Sequence, residues 1–158
     1  MNETITIASL HAAYTLEEYL ENYRFLDLLL QQKEDEIDKY SAIREGLVST
    51  LKPTGRVQET KRNKREELYV YYHDLIMEIE KDAIKYIQYY KAIKRDIETN
   101  VDKLSSFEQI VLIKAKYFEG KTYEVIAGEM NYADRTVYRK VNQALGELAS
   151  IMQMRRKK

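Results

Sequence analysis

Only one proline interrupts the 158 residues, at position 53, and it falls between two stretches in which large apolar side chains recur at steps of four and three. Proline removes a helical hydrogen bond and pushes the residue before it out of the helical region, so a chain almost free of it can run in long helices. In the first stretch the series is Tyr19, Tyr23, Leu26, Leu30, Lys33, Ile37, Tyr40, Arg44, Leu47 and Leu51. In the second it is Leu68, Tyr72, Leu75, Ile79, Asp82, Tyr86, Tyr89, Ile93 and Asp96 or Ile97. Such steps hold the side chains on one stripe of a helix, as in coiled coils. Thr15-Leu-Glu-Glu18 supplies a capping box at the start. The pattern predicts a helix over about 16–51, roughly 50 Å long, and a second over about 64–100. Between them, residues 52–63 hold the proline and one of the five glycines and read as a mobile polar loop. Neither helix can bury its stripe alone, so the expected solution is a long antiparallel, coiled-coil-like hairpin. The fold class expected is all-α.

Composition agrees with solvated helices, since 33% of residues are charged. Cysteine is absent, which excludes disulfide and thiol chemistry. No run approaches the length a membrane helix needs, and residues 1–14 lack the basic start and apolar run of a secretory signal. Those residues have little periodicity and are expected to form a loose or partly docked arm. The division expected is an arm over 1–14, the hairpin over 15–102 and a separate domain over 103–158. The net charge of zero conceals an asymmetry: residues 105–158 carry ten basic side chains against six acids. A positive end of this kind suits a polyanion.

The last part of the chain has a pattern of its own. Ser105-Ser-Phe-Glu108 reads as a second capping box, opening a helix with Phe107, Ile110, Val111, Lys114 and Phe118 on one face. Gly120 suits a left-handed helix end, and Thr122 caps a helix whose Tyr123, Ile126, Ala127 and Met130 face inward. Asn131-Tyr-Ala133 makes a turn, and a last helix starts at Asp134 with Val137, Val141, Leu145 and Leu148 as its buried stripe. Two short helices with a tight turn form the pattern of a helix-turn-helix domain. The outward side chains of the last helix are Arg135, Thr136, Arg139, Lys140, Asn142 and Gln143, with Tyr138 at the edge. Arginine pairs bidentately with guanine, Asn and Gln with adenine, and Lys with phosphate, so this face fits the major groove of double-stranded DNA. Lys121 and Thr122, at the start of the preceding helix, complete the candidate contact set. Asp134 is the one discordant group, expected to cap its helix rather than to meet a base.

Residues 107–148 resemble the helix-turn-helix of sigma-factor region four. The whole chain resembles short phage and prophage transcriptional regulators of the ArpU/RinA-like group. The residues carrying the likeness are Tyr117-Phe-Glu-Gly-Lys-Thr-Tyr-Glu-Val-Ile-Ala127 and Tyr132-Ala-Asp-Arg-Thr-Val-Tyr-Arg139, followed by Ala144, Leu145 and Leu148. The resemblance implies a regulator in the cytoplasm of a bacterial host, acting on phage genes, with RNA polymerase as a second partner. Its departure from that group is Ala133-Asp134, where a small hydroxyl cap and a basic residue are usual.

Two other readings compete. One is a small DNA-recognition subunit of a phage packaging (terminase) machine; the other is a helical partner-binding protein without DNA affinity, favoured by Asp134. Of the fourteen tyrosines, Tyr69, Tyr71 and Tyr72 span too many angles to face one helix. They leave open either water-exposed hydroxyls or an interface, including a homo-oligomer through the hairpin.

Several apparent motifs carry less. Ala115 to Thr122 matches a relaxed phosphate-binding loop, but no strand precedes it and Tyr117 and Phe118 would crowd a nucleotide. Glu34-Asp-Glu-Ile-Asp38 lacks the glycine turn of a calcium loop, and His11 and His73 are solitary. Arg56, Lys61, Arg62, Lys64 and Arg65 read as solvated; Arg155 to Lys158 read similarly, although their place beyond the last helix favours a DNA-backbone contact more than the loop does. No metal, cofactor or catalytic constellation is expected, and the chain is not expected to be an enzyme.

Overall fold

The computed structural model describes residues 6–49 and 59–158, and every regular element among them is helical. In order these are α1 Ile7–Ala13, α2 Leu16–Ser49, α3 Glu59–Val101, α4 Phe107–Ile113, α5 Tyr123–Met130 and α6 Asp134–Met152. A π-helical turn over Lys114–Phe118 continues α4. The all-α expectation holds. The residues group into two compact units, one of 1–26 with 90–158 and the other of 27–89.

In the first unit, the start of α2 is the predicted capping box. Thr15 N–H donates to Glu18 Oε2 at 3.0 Å, and Glu18 N–H donates to Thr15 Oγ1 at 3.3 Å. Residues 7–13 of the expected arm are a helix instead, closed by a second box in which Thr6 caps and Ser9 reciprocates. Seven residues are too few to show a period, which is why the helix was hidden. A part-buried polar knot holds it: His11 Nε2 lies 2.7 Å from Asp96 Oδ2, and the same oxygen accepts from the Tyr19 hydroxyl at 2.8 Å. Burial and the neighbouring Asp96 push the Tyr19 phenol well up, so it stays a donor. The core of this unit joins Leu16, Leu20, Ile97 and Val101 to Leu112, Ile113, Ile126, Val137, Val141 and Leu148.

Two details of α4 correct the sequence reading. Its cap is Ser106, whose hydroxyl accepts from Gln109 N–H at 3.2 Å, while Ser105 binds Glu147 through N–H (2.8 Å) and hydroxyl (3.0 Å). The buried face is also rotated: Leu112 and Ile113 are in the core, whereas Phe107 is 88% exposed and Val111 lies outside. Phe107 and Val111, one turn apart on α4, share the outer face, and the π-helical turn over Lys114–Phe118 sets Phe118 apart from them, half-buried against the core.

In the second unit, α3 begins at Glu59, so residues 59–63 of the expected loop belong to a helix. They are polar but include good helix formers, and Arg62 pairs with Glu66 one turn on at 3.3 Å. Residues 50–58, with Leu51 and Arg56, lie outside the described residues. Facing pairs between α2 and α3 are Tyr40 with Tyr72 (ring centroids 5.8 Å apart), Lys33 Nζ over the Tyr86 ring (5.6 Å) and Arg44 Nη1 with His73 Nδ1 (3.1 Å). The two basic members of the α2 series are thus absorbed by ring partners on α3. The α3 stripe is displaced from prediction: Ile76 and Ala83 are buried where Leu75 and Asp82 were expected, while Ile79 is buried as expected. Both series share Tyr72, Ile79 and Tyr86, and they differ only at every second member. The observed one admits the small Ala83 and leaves Asp82 in water, which avoids burying a carboxylate. Of the tyrosines that left two readings open, Tyr69 and Tyr72 are half-buried and Tyr71 is exposed.

Gly120, at φ 67°, ends the segment after the π-helical turn in the left-handed conformation expected of it. A Cβ there would collide with the Arg24 guanidinium, whose Nη1 donates to Phe118 O at 3.0 Å. Gly120→Ala is therefore expected to cost about 1–2 kcal/mol from backbone strain, with a further loss if Arg24 is displaced. Chemical denaturation of the full chain measures it; an unchanged midpoint would contradict the account.

Candidate functional site

Residues 121–143 bring together every candidate contact. Thr122 caps α5, its hydroxyl accepting from Val125 N–H at 3.3 Å, and Ile126 and Ala127 are buried beneath it. Helix α5 stops at Asn131, which takes a left-handed φ of 58°, and Tyr132 N–H returns to Ala127 O at 3.0 Å. Asparagine is among the few residues that adopt this conformation readily. Helix α6 then starts at Asp134, with Val137, Val141, Leu145 and Leu148 all buried, as their spacing predicted. The N-cap is Ala133 and carries no side-chain bond, so Asp134 does not cap. It is the first residue inside the helix, where its carboxylate meets the positive helix end.

The nine predicted contact residues divide into two groups. Arg135, Tyr138, Arg139 and Gln143 are exposed, as is Thr122, whose hydroxyl is used in capping α5. No hydrogen bond or ion pair engages the Arg135 or Arg139 guanidinium among the described residues. Arg135, Arg139 and Gln143 succeed one another at four-residue steps, a row about 12 Å long at 1.5 Å per residue. Tyr138 stands beside that row, edge-on to Tyr123 with ring centroids 5.5 Å apart. Thr122, Tyr123, Glu124, Asp134, Arg135 and Tyr138 line an open cleft of about 570 Å³ between the starts of α5 and α6.

The remaining candidates are occupied within the chain. Lys140 Nζ lies 2.6 Å from Glu108 Oε1 and 5.0 Å from the Tyr132 ring centre, while Tyr132 donates to Glu108 Oε2 at 3.2 Å. This pairing with Lys140 holds the Glu108 carboxyl below its ordinary range and pushes the Lys140 ammonium up. Lys121 Nζ bridges Glu119 (2.7 Å) and Glu129 (3.0 Å), which raise its ammonium in turn. Asn142 donates to Tyr138 O at 3.0 Å, and its Oδ1 accepts from Arg156 Nη2 at 3.1 Å. Thr136 is half-buried. Among the described residues no group of His, Cys, Asp and Glu is arranged to hold a metal ion.

No protein-family model, curated protein or solved structure matches the chain. The site therefore has to be read from its own chemistry.

Sequence reasoning missed the clamp behind this surface. Arg156 Nε donates to Glu17 Oε1 at 2.9 Å, Nη1 to Asn142 O at 3.2 Å and Nη2 to Asn142 Oδ1. Lys157 N–H donates to Glu17 Oε2 at 2.9 Å, and Arg155 Nη2 to Ala12 O at 3.1 Å. Three of the four residues of the basic tail, Arg155 and Arg156 by their side chains and Lys157 by its backbone, thus fasten the chain to itself. The only signal was the acidic first turn of α2, which could not name a partner 139 positions away.

Burial pushes the Glu17 carboxyl up, but the Lys157 and Glu17 N–H groups and the Arg156 guanidinium outweigh it and hold it below the ordinary 4.5. A carboxyl lowered on folding contributes stability that is present above 4.5 and lost as pH falls through the lower folded value. Glu17→Gln is expected to cost about 1–3 kcal/mol near neutral pH. The gap from wild type should close on acidification, since the native carboxylate is then protonated. Urea denaturation across pH reads both; a gap independent of pH would contradict the assignment.

Proposed function

We propose that residues 103–158 form a helix-turn-helix domain that reads double-stranded DNA in the major groove with α6. The chain would then be a sequence-specific transcriptional regulator of the phage and prophage kind that its sequence resembles. The observation that carries this reading is the row Arg135, Arg139 and Gln143. These groups are exposed, and the two guanidiniums have no hydrogen-bond or ion-pair partner among the described residues, while the neighbouring Lys121 and Lys140 are neutralised by carboxylates. Guanidinium groups left without partners at fixed helical spacing suit bidentate contacts to guanine, and Gln143 suits adenine. The left-handed Asn131 and the fully buried α6 stripe support the motif itself.

In this reading α6 enters the groove with its N-terminal half, where Glu124 and Asp134 line the cleft beside Arg135. Carboxylates there repel phosphate but accept from the amino group of cytosine. The contact set is thus Arg135, Tyr138, Arg139 and Gln143, with Asp134 discriminating among bases. The electrostatic, sequence-independent part of binding is correspondingly small.

An antiparallel hairpin of α2 and α3 completes the architecture. In the second unit the α3 partner moves back along the sequence as the α2 residue moves forward, from Lys33 with Tyr86 to Tyr40 with Tyr72. The first unit repeats this with Tyr19–Asp96 and Tyr23–Tyr90. A reading in which the domain binds a protein instead is favoured by one observation, the exposed Phe107 and Val111 on α4. RNA polymerase is a partner that accommodates both readings.

Selection of binding sites from random duplexes, followed by fluorescence anisotropy at several salt concentrations, tests the proposal. Arg135→Ala and Arg139→Ala should each cost about 1–3 kcal/mol in affinity for the selected site and relax its sequence. Lys121→Ala should change affinity little, because its charge is already neutralised. No sequence preference at any salt concentration would overturn the DNA reading in favour of the protein partner.

A further inference from the structure

We propose that the chain forms a two-fold dimer in which α3 packs antiparallel against α3 of a second copy, about an axis at Met77. This inference does not rest on the DNA reading. In the second unit the inner face of α3 is taken up by α2, yet Val70, Met77 and Ile84 stand 54%, 56% and 57% exposed. They are spaced by seven residues, with Ile87 three positions further, and they form a stripe one position round the helix from Tyr69, Ile76 and Ala83. An apolar stripe at a seven-residue spacing is complementary to another helix and to little else, since it keeps register only with a partner of the same period. Single exposed apolar residues need no explanation, but a repeated row does.

The flanking charges say which helix. Alongside the stripe run Glu67, Asp74, Lys81 and Gln88, with two acids in the first half and one base, Lys81, beside a neutral amide in the second. Asp74 and Lys81 are exposed and have no ion pair among the described residues. In an antiparallel pair centred on Met77, Val70 meets Ile84, Met77 meets itself, and Asp74 falls opposite Lys81 twice, once on each side of the axis. Glu67 falls opposite Gln88, and Glu80, which interrupts the stripe, falls opposite His73. In a parallel two-fold pair the two rows lie on opposite flanks of the seam, so Asp74 and Lys81 meet no charge of the other row. The row is self-complementary in one direction only, and a self-complementary surface is what a two-fold interface requires.

Because the chain has no cysteine, a single introduced thiol reports the geometry. Light scattering of the wild-type full chain should give twice the 18.8 kDa of one chain at concentrations on the order of tens of micromolar. Met77→Cys should form a covalent dimer on mild oxidation. Val70→Cys alone should not, whereas Val70→Cys mixed with Ile84→Cys should. Asp74→Lys and Lys81→Glu should each weaken the dimer about tenfold or more, and mixing the two should restore it. These positions are exposed, and unchanged circular dichroism verifies that the helices persist. A wild-type mass of one chain would overturn the proposal. So would a dimer indifferent to both charge reversals, or self-cross-linking of Val70→Cys.

Discussion

Arg156 commits its whole guanidinium to two helices that are far apart in the sequence, Glu17 at the start of α2 and Asn142 in the middle of α6. Helix α6 has a buried stripe of four aliphatic side chains, but burial alone fixes only which face is inward; it is non-directional and tolerates sliding. Charge-assisted hydrogen bonds are directional, and this one fixes α6 along its axis and in rotation. The exposed row Arg135, Arg139 and Gln143 inherits its position from that constraint. Glu147, bound to Ser105, and Lys140, bound to Glu108, add two further polar ties between α6 and the segment leading into and through α4. The polar groups nearest the exposed row thus serve as its mounting.

The two units are stabilised differently. The first unit has a continuous apolar core drawn from all six helices or their flanks, with Tyr19 and Asp96 as a satisfied polar centre. In the second, Ile76, Ile79 and Ala83 alone are buried among the described residues, and aromatic and cationic groups fill the seam between α2 and α3. A pair of helices encloses little volume, so long side chains that keep a polar tip in water are better suited to it than aliphatic ones.

How much of this was legible in the sequence depends on how local each determinant is. The limits of α5 and α6 followed from Thr122, Asn131 and the Val137, Val141, Leu145 and Leu148 spacing, because caps, turns and periodicity act within a few residues. The stripe of α3 was half read: Tyr72, Ile79 and Tyr86 fit two heptad phases, and the choice between Asp82 and Ala83 is made by the facing helix. The face of α4 was misread because Phe107 and Val111 lie one turn apart whether they point inward or outward, and the π-helical turn that separates Phe118 from them has no signature in residues 114–118. Within the candidate site, residue types indicated which groups could touch a base. They could not indicate that Lys140, Lys121 and Asn142 already have partners, since Glu108, Glu129 and Arg156 are brought near only by the fold.

The backbone of Leu16 donates to Arg155 O at 2.8 Å, so the opening turn of α2 is completed by residues from the other extreme of the first unit. Between its two pieces lie residues 27–89, all of which belong to the second unit. During synthesis, α2 and α3 can meet along that inserted segment long before position 156 emerges, and their pairing shortens the loop that the first unit must later close. The first turn of α2 has no access to Arg155 or Arg156 until translation has passed them. Pairing of α2 and α3 can thus precede completion of the first unit, in which the start of α2 finds its partners among residues 155–157.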